Sequence, residues 1–170
     1  MIGTRPFAIA LAVRALSGQL FGVQITVFNR QRRVRFDAEW LGRFAALALN
    51  QCAHHSGDGL FRLKQTCVVE VVVVSDSAIA RVHEKFTGVP GPTDVITFDH
   101  GEIVVSGDTA RRGAAKHGHT VVEELALYVV HGLLHLNGFD DREPKARARM
   151  HRVQNRIWRS LRERLPKRRR

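Results

Sequence analysis

The stretch from Thr120 to Leu136 constrains the fold of this chain more than any other. Leu125, Leu127, Val129, Val130, Leu133, Leu134 and Leu136 leave hardly any side of a helix without an apolar residue. Such a helix has to be buried, with the other elements packed around it. Thr120 and Glu123 form a capping box at its start. Asn137-Gly138 stops it, because glycine accepts the left-handed conformation that ends many helices. One polar stripe interrupts the apolar surface: Glu124, Tyr128, His131 and His135, at helical spacing. Unpaired polar groups are costly inside a protein, so this stripe needs partners.

His131 and His135 are one turn apart on a single helix face. The chain turns after Gly138 and presents Asp140 and Asp141 near the same end. Two neutral imidazoles and a carboxylate, with a fourth position open to water, is a common way to hold catalytic zinc. His131 and His135 are therefore candidate ligands, with Asp141 as the third and Asp140 as its competitor. Zinc proteases place a glutamate base directly after the first histidine. Here that position is Gly132, so a peptide hydrolase would lack its base. Glu124 lies about 10 Å from His131 at ~1.5 Å rise per residue, too far to share an ion. It is expected to be a buried anchor or an outer-shell group.

The flanking sequence supplies the rest of an α+β domain. Val23–Asn29 alternates as a strand, and Asp37 caps a helix to about His54 with Leu41, Phe44, Ala45 and Ala48 inward. The valine-rich run Val68–Val74 suits a strand buried on both faces. Ser75-Asp76 opens a helix to about Phe86, with Ile79, Val82 and Phe86 inward. A Gly/Pro loop leads to two strands, Asp94–Phe98 and Glu102–Ser106, joined as a hairpin. Asp108 begins a basic helix that Gly118 ends, and His117 and His119 beside that glycine are expected to be solvated turn residues. A last helix spans 142–165, with Pro144 in its first turn and Ala146, Met150, Val153, Ile157, Leu161 and Leu165 inward. The expected architecture is a small four-stranded mixed sheet packed with helices around a central metal-bearing helix. Residues 22–165 form one domain in this reading, 1–21 a poorly ordered extension, and 166–170 a basic tail.

Charge points to the partner. The 170-residue chain has 27 Lys and Arg against 16 Asp and Glu, a net charge of +11. A field of that sign favours a polyanion, because each cation meeting a phosphate releases a counterion. The apolar run 7–13 is cut short by Arg14 and is not expected to export the chain. Cys52 and Cys67 form no metal or redox motif and fit a reducing cytoplasm.

The residues also carry a family resemblance. His131-Gly-Leu-Leu-His135-Leu-Asn-Gly-Phe-Asp-Asp141 resembles the signature of the YbeY-type endoribonucleases, with Asp141 in place of the usual third histidine. Pro92–Phe98, Gly101–Ser106 followed by Asp108-Thr109-Ala110, and Glu124-Leu125-Ala126 resemble further family segments in the same order. The resemblance implies a zinc-dependent, single-strand-specific endoribonuclease. Its substrate would be RNA, and its work small-subunit ribosomal RNA maturation and ribosome quality control. It implies one zinc ion on His131, His135 and Asp141. Thr93, Asp94, Glu124 and Asp140 would lie around the cleft or behind the ligands. Where many family members carry an arginine this chain has Thr87. Arg81, Lys85, Arg111 and Arg112 are candidates to contact RNA in its stead. Two alternatives stand beside this one: a noncatalytic ribosome-binding factor with a structural metal, and a metal-dependent hydrolase of another substrate.

Overall fold

The computed structural model describes residues 19–20, 22–59, 63 and 66–165. Most of the expected extension and the whole basic tail lie outside the described residues. The sheet comprises β1 (Gln19–Leu20), β2 (Val23–Asn29), β3 (Val68–Val74), β4 (Val95–Thr97) and β5 (Glu102–Ser106), in the order β1-β2-β3-β5-β4. β2, β3 and β5 run parallel; β4 is antiparallel to β5, and the two-residue β1 is antiparallel to β2. The four expected strands are all present, and β1 adds a short fifth at the edge.

The helices are α1 (Ala38–Cys52), α2 (Asp76–Thr87), α3 (Gly107–His117), α4 (Val121–Leu136) and α5 (Pro144–Arg164). Each expected helix exists, with ends shifted by a residue or two. Asp37 caps α1 by accepting from Trp40 N, and Thr120 with Glu123 completes the capping box on α4. α4 is central: it packs against α1, α3, α5, β4 and β5. Leu125, Ala126, Val129, Val130, Leu133 and Leu134 have no exposed surface.

Two expectations about burial fail. β3 alternates: Val69, Val71 and Val73 are fully buried, whereas Val68 and Glu70 are exposed. Its valines therefore reflect β propensity as well as burial. Phe86 is 61% exposed rather than inward. Only Ile79 of its stripe reaches full burial, and the Phe86 ring instead meets Phe98 edge-on at 4.9 Å.

Candidate metal centre

Helix α4 brings His131 and His135 together, and the turn that follows it brings Asp141 to both. The two Nε2 atoms are 3.0 Å apart, and Asp141 Oδ2 lies 3.6 Å from that of His131 and 3.9 Å from that of His135. Four ligands at about 2.0–2.2 Å from a tetrahedral centre stand roughly 3.3–3.6 Å from one another. The three side chains already stand near that separation.

The outward-facing ring nitrogens fix the tautomers. His135 Nδ1 lies 3.0 Å from the backbone oxygen of Phe139, which can only accept, so it carries the proton. His131 Nδ1 donates to Gln154 Oε1 at 2.9 Å. Burial, reinforced by neighbouring His135, holds the His131 pKa below its ordinary 6.5. In neutral rings of this kind both Nε2 atoms bear lone pairs, and here the lone pairs face each other. Two such lone pairs and a carboxylate oxygen converging on one point suit a cation.

A second loop holds the turn in place. Asn137 is fully buried, and its side-chain amide donates to the backbone oxygens of Cys52 and His55. Gly57 N and Gly59 N donate to the oxygens of Asn137 and Gly138 at 3.0 and 2.9 Å. A Cβ on Gly57 would lie 1.9 Å from the Gly138 oxygen, so only glycine permits this approach. Gly138 has φ +83, the left-handed conformation the turn requires.

Asp140 faces another way. One of its oxygens accepts from the backbone N–H groups of Asp141 and Arg142, and both engage Arg142 Nε. The backbone bond from Arg142, with its guanidinium, holds the Asp140 carboxyl below the usual carboxylate range. Gly132 is the point where α4 meets the sheet. A Cβ there would fall 2.6 Å from Ile103 Cγ2 and 3.0 Å from Thr97 Oγ1. A glutamate after His131 has no room, which removes the protease arrangement on steric grounds as well.

The remaining candidates fall around this centre. Asp94 caps the start of β4, accepting from Thr93 Oγ1 at 3.1 Å and Val95 N at 2.9 Å, and its negative charge is felt at His131. Glu124 is not among the groups at His131. It is buried at the other end of the helix, 2.9 Å from His119 Nδ1 and 3.3 Å from His117 Nδ1. His117 and His119 are thus paired with a carboxylate rather than being plain solvated turn residues. Arg112 is 2.7 Å from Asp76 and donates to Thr109. Arg111 lies 3.7 Å from Asp108. Arg81 and Lys85 are exposed on α2. Thr87 finishes that helix, donating to His83 O and accepting from Val89 N.

Sequence reasoning missed Gln154. It lies four residues after Met150 and three before Ile157, on the buried stripe of α5. A polar residue on that stripe was the available signal. The Thr97 hydroxyl was also missed: it is buried beside Gly132, without a hydrogen-bond partner among the described residues. A cavity of about 470 Å³ opens next to His135, with Gly57, Gly59, Phe139, Arg142 and Arg149 in its wall. Arg149 stacks its guanidinium 5.4 Å from the Phe139 ring centre and pairs with exposed Asp58.

Comparison with known proteins places this architecture. The solution structure of TM1509 from Thermotoga maritima shares the fold, with TM-score 0.52 and 23% identity over 82% of this chain and 92% of that one. The endoribonuclease YbeY of Clavibacter sepedonicus is 30% identical over 146 residues, covering 76% of this chain and 90% of the relative. That of Frankia alni is 33% identical over 109 residues, covering 52% of this chain and 60% of the relative. The match thus spans about three fifths of the Frankia protein and most of the Clavibacter one. The family model described as endoribonuclease YbeY matches residues 26–162. The chain therefore belongs to the endoribonuclease YbeY family.

Proposed function

We propose that the protein is a zinc-dependent endoribonuclease that cuts single-stranded RNA during small-subunit ribosomal RNA maturation and quality control. In this reading residues 22–165 are the catalytic domain, working in the cytoplasm. The supporting observation is the pair of Nε2 lone pairs 3.0 Å apart with the Asp141 carboxylate beside them. His131, His135 and Asp141 would hold one zinc ion. When bound, zinc in such a site polarises a phosphoryl oxygen and brings the pKa of a water toward neutrality.

The chain's own groups do the rest. Gln154 and the Phe139 carbonyl keep the two imidazoles in the ligating tautomer. The loop at 57–59 fixes the turn, so Asp141 meets the histidines without being ordered anew at each turnover. Arg142 and Arg149 at the cavity beside His135 attract the phosphate of a neighbouring nucleotide. Arg142, Arg149 and Arg112 each hold an aspartate that a phosphate would displace, and Arg81, Lys85 and Arg111 add to the positive field.

Purified protein, zinc-loaded or stripped by a chelator, is to be incubated with a short RNA in single-stranded and duplex form. Cleavage of the single strand by the loaded protein alone is the expected outcome. His131→Ala, folded by circular dichroism, loses the zinc shared with His135 and Asp141, and cleavage with it. Undiminished cleavage by that variant would overturn the reading.

A further inference from the structure

The amino-terminal end of α4 repeats the chemistry of its carboxyl-terminal end with different residues. We infer that His117, His119 and Glu124 form a second cation site, suited to zinc or a similar divalent ion. Glu124 Oε1 lies 3.3 Å from His117 Nδ1 and Oε2 lies 2.9 Å from His119 Nδ1. One ligand atom from each of the three residues can be chosen so that all lie within 4.8 Å of one another. Two imidazoles with a glutamate is an established zinc donor set.

Three features build the site. Gly118, at φ +70, ends α3 in the left-handed conformation and lets the histidines on either side of it face one carboxylate. Gly113 leaves space: a Cβ there would stand 2.6 Å from Glu124 Oε1 and 3.0 Å from the Tyr128 hydroxyl oxygen. Burial, with the Glu124 carboxylate close by, pushes the Tyr128 hydroxyl pKa up. The Glu124 side chain is only 2% exposed, and among the described residues no lysine or arginine comes within ion-pair distance of it. A carboxylate taken out of water is costly unless positive charge accompanies it. The two imidazoles supply hydrogen bonds to it, and a divalent ion on the same three donors would bring two positive charges to the carboxylate. His117, 47% exposed, leaves a way in.

The site stands about 10 Å from the His131 end along the helix, well beyond the ~3.5–4 Å of paired catalytic metals. Its role is therefore to clamp the end of α3 onto the start of α4. Without an ion the two histidines donate their Nδ1 protons to Glu124, so an ion must displace those protons. The second site is accordingly the weaker one.

The test is zinc stoichiometry and affinity, by calorimetric titration of the metal-free full-length protein. Two ions per chain are expected, the second bound more weakly. The His131→Ala, His135→Ala double variant should keep only the weaker ion. Adding His117→Ala, an exposed position that does not endanger folding, should weaken that ion more than about tenfold. A folded double variant that binds no zinc overturns the second site and leaves the proposed function standing. One ion that survives the double substitution but falls to His117→Ala alone overturns the catalytic reading instead.

Discussion

The two ends of α4 each assemble two imidazoles and one carboxylate, but they do so in opposite senses. At the carboxyl-terminal end the histidines belong to the helix and the carboxylate to the turn after it. Their Nδ1 atoms are turned outward onto Gln154 and Phe139, so the converging Nε2 atoms have no proton to share. At the amino-terminal end the carboxylate belongs to the helix, and the Nδ1 atoms of His117 and His119 point straight at it. One end keeps its ligand atoms bare; the other closes them on each other. The same residue types thus leave donors open to an ion or close on one another as a fastening between helices, and the direction of the ring nitrogens decides which.

The widest separation between the two ends should appear on deleting one group from each. His135→Ala removes a part-exposed ring whose loss costs little packing. Cleavage is expected to fall about 10³-fold, roughly 4 kcal/mol of barrier at ~1.4 kcal/mol per decade, while Tm scarcely moves. Glu124→Ala should act the other way, on stability. It strands the part-buried His119 and the exposed His117 and empties the space Gly113 leaves, at a cost of about 2 kcal/mol in denaturant unfolding. Equal Tm losses in the two variants would erase the contrast.

The next test asks whether outward hydrogen bonding is what keeps the Nε2 atoms bare. Gln154→Leu keeps the buried volume on α5 and deletes the acceptor for His131 Nδ1. Zinc affinity at the His131 end should drop about 10–100-fold with both histidines in place. A chelator competition assay reads this directly, and unchanged affinity would mean that the helix alone orients the ring.

What the sequence made legible follows from distance along the chain. The capping box, the Asn137-Gly138 stop and the spacing of His131 and His135 are written within one turn or two, and the structure contains each of them. The order of the four main strands and all five helices was legible for the same reason. Illegible were the meetings of remote segments. Asn137 is fastened to Cys52 and His55, more than eighty residues away, and His119 reaches Glu124 across the joint of two helices. Periodicity places Phe86 inward because its stripe continues that of Ile79, but among the described residues no part of the core covers the last turn of α2. Gln154 escapes because its apolar neighbour Val153 also fits the stripe.

The smallest effect concerns Asp141, the carboxylate of the proposed ligand set. Its Oδ2 stands 3.6 and 3.9 Å from the two Nε2 atoms, farther than they stand from each other. Asp141→His supplies a longer arm and a third nitrogen donor, which zinc accepts as readily as oxygen. The carboxylate it replaces contributed a charge, so the gain in reach is partly offset by lost attraction. Zinc affinity should consequently change by less than about tenfold, and Asp141→Ala should lose far more. If Asp141→Ala binds zinc as tightly as the parent chain, the turn contributes no ligand. The carboxyl-terminal end of α4 would then be a histidine pair and nothing more.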